Sequence, residues 1–225
     1  MLVESAAIQS EAITFSTLAD STEISVEVDF RRWVGSHRTM TKKPISKSSH
    51  AQRLAPYIRT KPDQTESKII DALKGVCNNA EGLDGKAWTR RVKESVARLG
   101  RDGKHEVCAN RCKHAHGREW LYDLCWLDYQ KDSLIGAKLV MEVEWQPGGP
   151  GGAEDDFQKL VLARADHRVM IFCPKGKEKT EKAVNRLLSQ FVERFRHSSP
   201  GDRYLFGCWN SGTSGFDFSV FKLVS

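Results

Sequence analysis

The order of helical and extended patterns over residues 86–224 constrains the fold of this chain more than any other feature. Trp88, Val92, Val96 and Leu99 recur at helical spacing, whereas alternating or short apolar runs predict strands. The predicted elements are a helix at 87–100, strands at 104–111, 118–129 and 137–146, a helix at 155–165, a strand at 168–174, a helix at 178–197, and strands at 203–210 and 216–224. This order predicts an α/β domain whose mixed central sheet is flanked by helices.

Residues 1–65 are predicted to form an N-terminal extension, and residues 66–225 the main domain. Within the extension, residues 22–30 alternate apolar and polar side chains, which is typical of a strand in a small β element. Residues 35–65 have few apolar positions and predict a basic arm or linker. A short helix is predicted at 67–77, at the start of the main domain.

Charge is distributed unevenly along the chain, whose formal net charge is +6. Residues 1–30 contain six acids and no Lys or Arg, whereas residues 31–61 contain nine Lys or Arg and no acid. Residues 86–118 are again rich in Lys and Arg. Basic segments attract polyanions, because each neutralised phosphate releases counterions. The same composition is also typical of a solvated linker or helix surface.

The composition is that of a globular protein that does not span a membrane. No run approaches 18 consecutive apolar residues. The first residues lack the basic start and long apolar stretch of a secretory signal. The six cysteines are spread through the chain and are expected to be reduced thiols. The cytoplasm is therefore the expected compartment.

Three carboxylates are predicted to meet on the hairpin that the strands 118–129 and 137–146 form. Folding the hairpin about its turn brings Asp123 opposite Glu142. Glu142 and Glu144 are two residues apart on one strand, so their side chains share a face. Clustered carboxylates repel each other unless a cation lies between them, and their oxygen atoms suit Mg²⁺ or Mn²⁺. The alternative is that the three acids lie on a solvated face of the sheet.

The order of elements around these acids resembles the core of the PD-(D/E)XK, or restriction endonuclease-like, nuclease superfamily. The resemblance covers about residues 86–175: a helix, a strand, a strand with Asp123, a strand with Glu142 and Glu144, then a helix and a strand. It implies a restriction endonuclease-like αβββαβ core. It also implies that Asp123 and Glu142 are metal ligands, assisted by the carbonyl of Val143, and that Glu144 occupies the position usually held by lysine.

Two departures from the superfamily pattern bear on the chemistry. Tyr122 precedes Asp123 where proline is usual, and Glu144 replaces the usual lysine, as in a minority of members. Some members supply a lysine from the following helix, and the resemblance assigns this part to Lys159. The first helix often contributes a glutamate to the metal site, which is Glu94 here. Simpler interpretations are an exposed helix lysine at 159 and a surface ion pair between Glu94 and a nearby arginine.

These features predict a metal-dependent endonuclease that hydrolyses DNA phosphodiester bonds, with double-stranded DNA favoured as the substrate. Asp123, Glu142, Glu144 and Lys159 are the expected catalytic residues, with Glu144 as a further metal ligand or a base that orients the attacking water. Mg²⁺ or Mn²⁺ is the expected cofactor. A homodimer would provide one centre for each strand of a duplex. Because Glu144 replaces the usual lysine, the second hypothesis is a non-catalytic module that binds nucleic acid or protein on the same scaffold.

A zinc site is a third hypothesis, since Cys108, Cys112, His114 and His116 form a Cys₂His₂ set. Their spacing departs from the usual zinc motifs. If residues 105–112 form a strand, Cys108 and Cys112 are about 13 Å apart at ~3.3 Å per residue and need a tight turn after Arg111 to share an ion. Core cysteines and loop histidines are the simpler interpretation.

Overall fold

The computed structural model describes residues 56–78, 85–145, 152–174 and 178–224, all within one compact unit. Its strands are β1 Tyr57–Thr60, β2 Glu106–Ala109, β3 Leu124–Gln130, β4 Ser133–Glu144, β5 His167–Phe172, β6 Arg203–Asn210 and β7 Gly215–Leu223. Its helices are α1 Gln64–Cys77, α2 Gly85–Asp102, α3 Ala153–Leu162 and α4 Thr180–Leu187, the last continued by a π-helical turn, Leu188–Val192. None of these helices is long and apolar enough to cross a membrane.

The seven strands of the described residues form one sheet in the order β1-β7-β6-β5-β4-β3-β2. The central strands β4, β5 and β6 are parallel, and every other neighbouring pair is antiparallel. Parallel strands need a crossover connection, and here α3 connects β4 to β5 while α4 connects β5 to β6. The predicted α/β class, with a mixed sheet flanked by helices, is confirmed.

Alternation along the central strands sends side chains into two separate cores. The core beside α1 and α2 takes the odd-numbered residues of β4 and β5, namely Leu139, Met141, Val143, Val169 and Ile171. The core beside α3 and α4 takes the even-numbered residues Val140, Met170 and Phe172. Burying each such side chain contributes about 1.5–3 kcal/mol to stability. By the same alternation Glu142, between Met141 and Val143, points toward α3.

Helices α1 and α2 agree with the predicted ones apart from their ends. α1 begins at Gln64 because Asp63 caps it: the Asp63 carboxylate accepts from the Glu66 N–H at 2.9 Å, and the Glu66 carboxylate accepts from the Asp63 N–H at 2.9 Å. α2 does not end at Gly100 as expected but continues to Asp102. Glycine is needed at position 100 for close packing instead, since a Cβ there would lie 2.4 Å from the indole nitrogen of Trp126.

We expect Gly100→Ala to destabilise the fold by about 1–3 kcal/mol, because the added methyl group displaces the buried Trp126 indole. Gly75→Ala is the matched control. Gly75 lies in α1 with nothing within 4 Å of an added Cβ, and replacing a helix glycine by alanine stabilises by up to about 1 kcal/mol. Urea denaturation of both variants measures the two effects. Equal stability of the two variants would show that α2 does not depend on this close packing.

The hairpin differs from its prediction at both strand ends. β3 begins at Leu124 rather than at 118, so Asp123 immediately precedes the strand. β4 begins at Ser133 rather than at 137, which shortens the turn to two residues. The first of these, Lys131, has a φ of 56°, a left-handed conformation that lets the chain reverse sharply.

Helices α3 and α4 are also shorter or shifted relative to the predicted ones. α3 begins at Ala153, after Gly152, rather than at the predicted residue 155, so Asp155 lies inside its first turn. It ends at Leu162, since the next residue is extended. The π-helical turn that continues α4 ends at Val192, before the predicted end at 197.

Part of the predicted N-terminal arm belongs to the sheet. Residues 57–60, within the arm predicted over 35–65, form β1 and pair with β7, from Tyr57 opposite Leu223 to Thr60 opposite Val220. The sheet therefore begins before the predicted domain boundary at residue 65. The strand predicted at 22–30 lies outside the described residues.

Candidate functional site

Asp123 lies beside Glu142 at the point where β3 begins. The register of the hairpin pairs Leu124 with Met141, so the next position outward brings Asp123 next to Glu142. The Oδ2 atom of Asp123 accepts a hydrogen bond from the Val143 N–H at 2.9 Å. This half-buried carboxylate is therefore fixed to β4 at the end of the strand where Glu142 lies.

The second oxygen of Asp123 contacts Lys93, a buried lysine of α2. The Nζ atom of Lys93 lies 3.3 Å from Oδ1 of Asp123 and 3.1 Å from Oε2 of Glu119, and 7% of its side chain is exposed. A buried ammonium group needs such carboxylate partners to be tolerated. In the sequence Lys93 counts as one of many basic surface residues. The available signal is its spacing to Val96 and Ala97, which places it on the buried face of α2.

Glu142 is buried against α3, where it contacts Lys159. Only 2% of its side chain is exposed, and its Oε1 atom lies 2.7 Å from Nζ of Lys159. The same Nζ atom lies 2.7 Å from Oδ1 of Asp156, three residues earlier on α3. The structure thus brings the predicted residues Asp123, Glu142 and Lys159 together. The ammonium of Lys159 also keeps access to solvent, since 45% of its side chain is exposed.

The surroundings shift the pKa of Glu142 and of Lys159. Burial raises the pKa of Glu142 from 4.5 to about 8; Lys159 opposes this rise and the Asp123 carboxylate adds to it. Burial would lower the pKa of Lys159, but the carboxylates of Asp156 and Glu142 outweigh it and raise that pKa above its usual value. Without a further cation, Glu142 therefore holds a proton at neutral pH while Lys159 stays charged beside Asp156.

The raised pKa of Glu142 makes the stability of the metal-free protein depend on pH. In the folded state Glu142 keeps its proton up to about pH 8, and in the unfolded state up to about pH 4.5. Its contribution to stability is therefore full below pH 4.5 and is lost as the pH rises through 8. We expect Glu142→Gln, which cannot ionise, to exceed the wild type in stability by about 2–4 kcal/mol at pH 9 and by far less near pH 5.

Urea unfolding in EDTA between pH 5 and 9 measures this difference. The matched control is Glu154→Gln, because 47% of the Glu154 side chain is exposed and its stability difference should not follow this trend. A stability difference between wild type and Glu142→Gln that stays constant with pH would contradict the proton assigned to Glu142.

Glu144, predicted as a further ligand, ends β4 on the same side of the strand as Glu142. Its backbone carbonyl accepts a hydrogen bond from the Cys173 N–H at 3.1 Å, which places this residue between the carboxyl ends of β4 and β5. Its side chain is half-buried.

Glu94 lies on α2 directly after Lys93. Its charge acts on Cys112, whose pKa is raised mainly by burial and further by Glu94. Within the described residues, no hydrogen bond or ion pair joins Glu94 to Asp123 or Glu142. The α2 side chain that contacts Asp123 directly is that of Lys93, and Glu94 as a metal ligand stays a prediction.

The alternative zinc set is divided between the two sides of the sheet. Cys108 packs against the core beside α3, whereas Cys112 packs against the core beside α2. His116 is engaged elsewhere, since its Nδ1 atom accepts from the Val107 N–H at 3.2 Å. Cysteines on opposite faces of a sheet cannot ligate one ion, so this arrangement contradicts the zinc hypothesis.

A second group of titratable side chains joins α1 to the sheet. Ligand atoms of Asp63, Glu66 and His167 lie within 4.8 Å of one another, and His167 Nε2 is 2.8 Å from Asp63 Oδ2. Glu66 is fully buried and contacts Nε of Arg203 at 2.9 Å and Nη2 at 2.5 Å. Arg203 already supplies the positive charge here, so we interpret the group as structural. The sequence does not reveal it, because Asp63 and His167 are 104 residues apart.

The acidic centre defined by these contacts contains four carboxylates and two ammonium groups: Glu119, Asp123, Glu142, Asp156, Lys93 and Lys159. Two negative charges remain when all six groups are ionised. In a β-strand, the N–H and the C=O of one residue point toward the same neighbouring strand. Because the Val143 N–H points toward Asp123, the Val143 carbonyl points to the same side and adds a further oxygen. Oxygen atoms with a net negative charge suit a hard divalent cation.

No protein-family model, no curated protein and no solved structure matches this chain. Evidence for its function therefore comes from the geometry and electrostatics of the acidic centre.

Proposed function

We propose that this protein is a metal-dependent nuclease with a restriction endonuclease-like core, which hydrolyses DNA phosphodiester bonds at the acidic centre. The observation that carries the proposal is the meeting of side chains from three separate elements: Asp123 before β3, Glu142 on β4 and Lys159 on α3. The order α2-β2-β3-β4-α3-β5 around them agrees with the αβββαβ core that the resemblance implies.

The residues present fit Mg²⁺ or Mn²⁺. Asp123, Glu142 and the carbonyl of Val143 would hold the ion, with Glu144 as a further oxygen ligand. When bound, such an ion lowers the pKa of a water molecule and stabilises the charge that develops on the phosphate. The Glu142 carboxyl would release its proton on binding, since a ligating carboxylate must be ionised.

The two lysines have different parts in this proposal. Lys159 keeps nearly half of its side chain in solvent, so its ammonium can donate to a phosphate oxygen or orient the attacking water, while Asp156 holds it charged. Lys93 is a positioning residue, because it is buried and bridges Asp123 to Glu119. Lys159 from α3 thus supplies the positive charge that a lysine at position 144 would provide.

DNA is the proposed substrate because a basic helix surface borders the acidic centre. Lys86 and Arg90 are exposed on the first turns of α2, the helix that supplies Lys93. Positive charge around a metal-loaded centre attracts a phosphodiester backbone. Double-stranded DNA remains the favoured form from the sequence, and a homodimer would then place one centre on each strand.

The test is a cleavage assay with purified full-length chain on supercoiled plasmid and on single-stranded DNA, with Mg²⁺, Mn²⁺ or EDTA. We expect products with either metal and none with EDTA. Cleavage that persists in EDTA would contradict a metal-dependent mechanism.

A non-catalytic nucleic-acid-binding module is the second candidate. The observation that favours it is the pairing of Lys159 with two carboxylates, which satisfies the ammonium without a substrate. Binding of DNA by the wild type without any cleavage in Mg²⁺ or Mn²⁺ would support this candidate over the nuclease.

A further inference from the structure

Four aromatic side chains cluster at the carboxyl end of the central strands. They are Trp88 of α2, Trp145 directly after β4, Trp209 near the end of β6 and Phe216 near the start of β7. Trp88 contacts the other three rings at centroid distances of 6.0, 5.0 and 6.2 Å, and Phe216 contacts Trp145 at 6.1 Å and Trp209 at 5.4 Å. We call these four residues the aromatic cluster.

The aromatic cluster lies next to the acidic centre. The indole N–H of Trp145 donates to Oγ1 of Thr89 at 2.8 Å. Lys93, four residues after Thr89 on α2, contacts Asp123 at 3.3 Å. Residues four apart on a helix are separated by about one turn, or ~5–6 Å along its axis. Thr89, which contacts the cluster, and Lys93, which contacts Asp123, are therefore about one helical turn apart on α2.

The aromatic cluster is only partly buried. Trp88, Trp145 and Phe216 border the core beside α2, and all four residues of the cluster remain partly exposed. In the part of the chain that the structure describes, the indole N–H groups of Trp88 and Trp209 make no hydrogen bond and are not among the buried unpaired groups, unlike that of Trp126. Two indole donors with a partly exposed ring each are thus available to a ligand.

The charge beside the aromatic cluster favours a nucleic acid over an apolar partner. Lys86 and Arg90, exposed on α2, lie two residues before and after Trp88. Aromatic rings next to basic side chains are the combination that binds unpaired strands, since bases stack on the rings and phosphates contact the charges. A base paired within a duplex presents its edges rather than its faces to a protein, so stacking requires unpaired bases.

We propose that the aromatic cluster binds unpaired bases of the DNA strand whose backbone reaches the acidic centre, so that the strand is single where it crosses this surface. This inference rests on the proposed function but changes its preferred substrate. Single-stranded DNA, or a duplex opened at this point, is bound in preference to the intact duplex that the sequence favours. Lys86 and Arg90 hold the phosphates of the stacked nucleotides.

The test measures binding of a fluorescently labelled oligothymidylate to the full chain in EDTA, so that binding is observed without cleavage. Trp88→Leu and Trp209→Leu keep an apolar side chain against the core, and each is expected to weaken binding by about tenfold or more. Tyr129→Leu is the matched control. Tyr129 is 47% exposed on β3, and it lies six residues, or ~20 Å, from Asp123. The Tyr129→Leu variant should bind oligothymidylate with wild-type affinity.

A second variant keeps the proposal testable if the tryptophan variants fold poorly, as thermal melting would reveal. The doubly substituted Lys86→Glu/Arg90→Glu chain changes exposed residues alone and is expected to weaken oligothymidylate binding and reduce its salt dependence. Wild-type affinity in this variant or in both folded tryptophan variants would overturn the proposal, as would tighter binding of a duplex than of the single strand.

The same measurements separate this proposal from the nuclease proposal. If binding depends on Trp88 and Trp209 but no cleavage occurs in Mg²⁺, the stacking surface is supported and the nuclease proposal is contradicted. Metal-dependent cleavage of duplex DNA without affinity for oligothymidylate would contradict the stacking surface and support the nuclease proposal. If the chain binds neither DNA form, both proposals are contradicted, and the aromatic cluster is part of the core or a contact for another protein.

Discussion

Glu142→Gln and Asp123→Asn are each expected to slow metal-dependent DNA cleavage by about 100- to 1,000-fold. Both changes keep the size of the side chain and remove one negative charge from the acidic centre. Asparagine at 123 can still accept from the Val143 N–H, so the hairpin contact is retained. The measurement is the single-turnover rate of plasmid cleavage at saturating Mg²⁺ or Mn²⁺.

The matched control for this prediction is Glu154→Gln, on the first turn of α3. Glu154 pairs with Arg186 on the surface and is not part of the acidic centre, so its cleavage rate should stay within about twofold of the wild type. Glu142→Gln should also be at least as stable as the wild type above pH 8. A loss of activity that accompanies this gain in stability cannot be explained by unfolding. Wild-type rates in both variants would contradict the catalytic assignment.

Glu66→Gln is expected to lower the free energy of unfolding by about 2–4 kcal/mol, the largest loss of stability that we predict. Glu66 is fully buried and carries the charge that balances Arg203, 17% of whose side chain is exposed. Removing one partner of such a pair leaves the other without compensation. Asp63 lies 3.5 Å from Nε of Arg203 and still provides it with a negative charge. The loss of stability is therefore smaller than for a buried pair without a second carboxylate. Urea denaturation near pH 7 measures the change.

Asp71→Asn is the control for this variant on the same helix. Asp71 is 78% exposed and lies 4.0 Å from the exposed Lys74, so its loss should change stability by less than about 0.5 kcal/mol. A change below 1 kcal/mol for Glu66→Gln would show that the buried pair does not anchor α1 to the sheet. Loss of Mg²⁺-dependent activity without loss of stability in Glu66→Gln would instead point to a metal at this group.

The order of elements could be predicted from sequence, because helical and extended spacing in residues 86–224 is local information. The pairing of Asp123 with Glu142 also follows from the sequence, since a hairpin folds about its own turn. The bounds of β3 were less accessible: the apolar residues Trp120 and Leu121 are typical of a strand, but both are exposed and precede it. Side-chain preference alone does not determine where strand pairing ends.

Interactions between distant elements account for what the sequence did not reveal. Lys93 reaches Asp123 because α2 packs across the start of β3, and the charge of a lysine normally predicts a surface position. Asp63 falls in the predicted arm, and its contact with His167, 104 residues later in the chain, is not evident from local sequence. Lys159 could be proposed from the resemblance, but its contact with Glu142 depends on how α3 packs on β4. Such contacts are set by tertiary packing rather than by local pattern.

The central claim is that Asp123 and Glu142 together hold one divalent cation, and isothermal titration of the full chain with Mn²⁺ tests it most directly. We predict one Mn²⁺ bound per chain, with affinity that falls at least about tenfold in both Asp123→Asn and Glu142→Gln and is unchanged in Glu154→Gln. Mn²⁺ binding that is equally strong in all four proteins, or absent from the wild type, would contradict the claim.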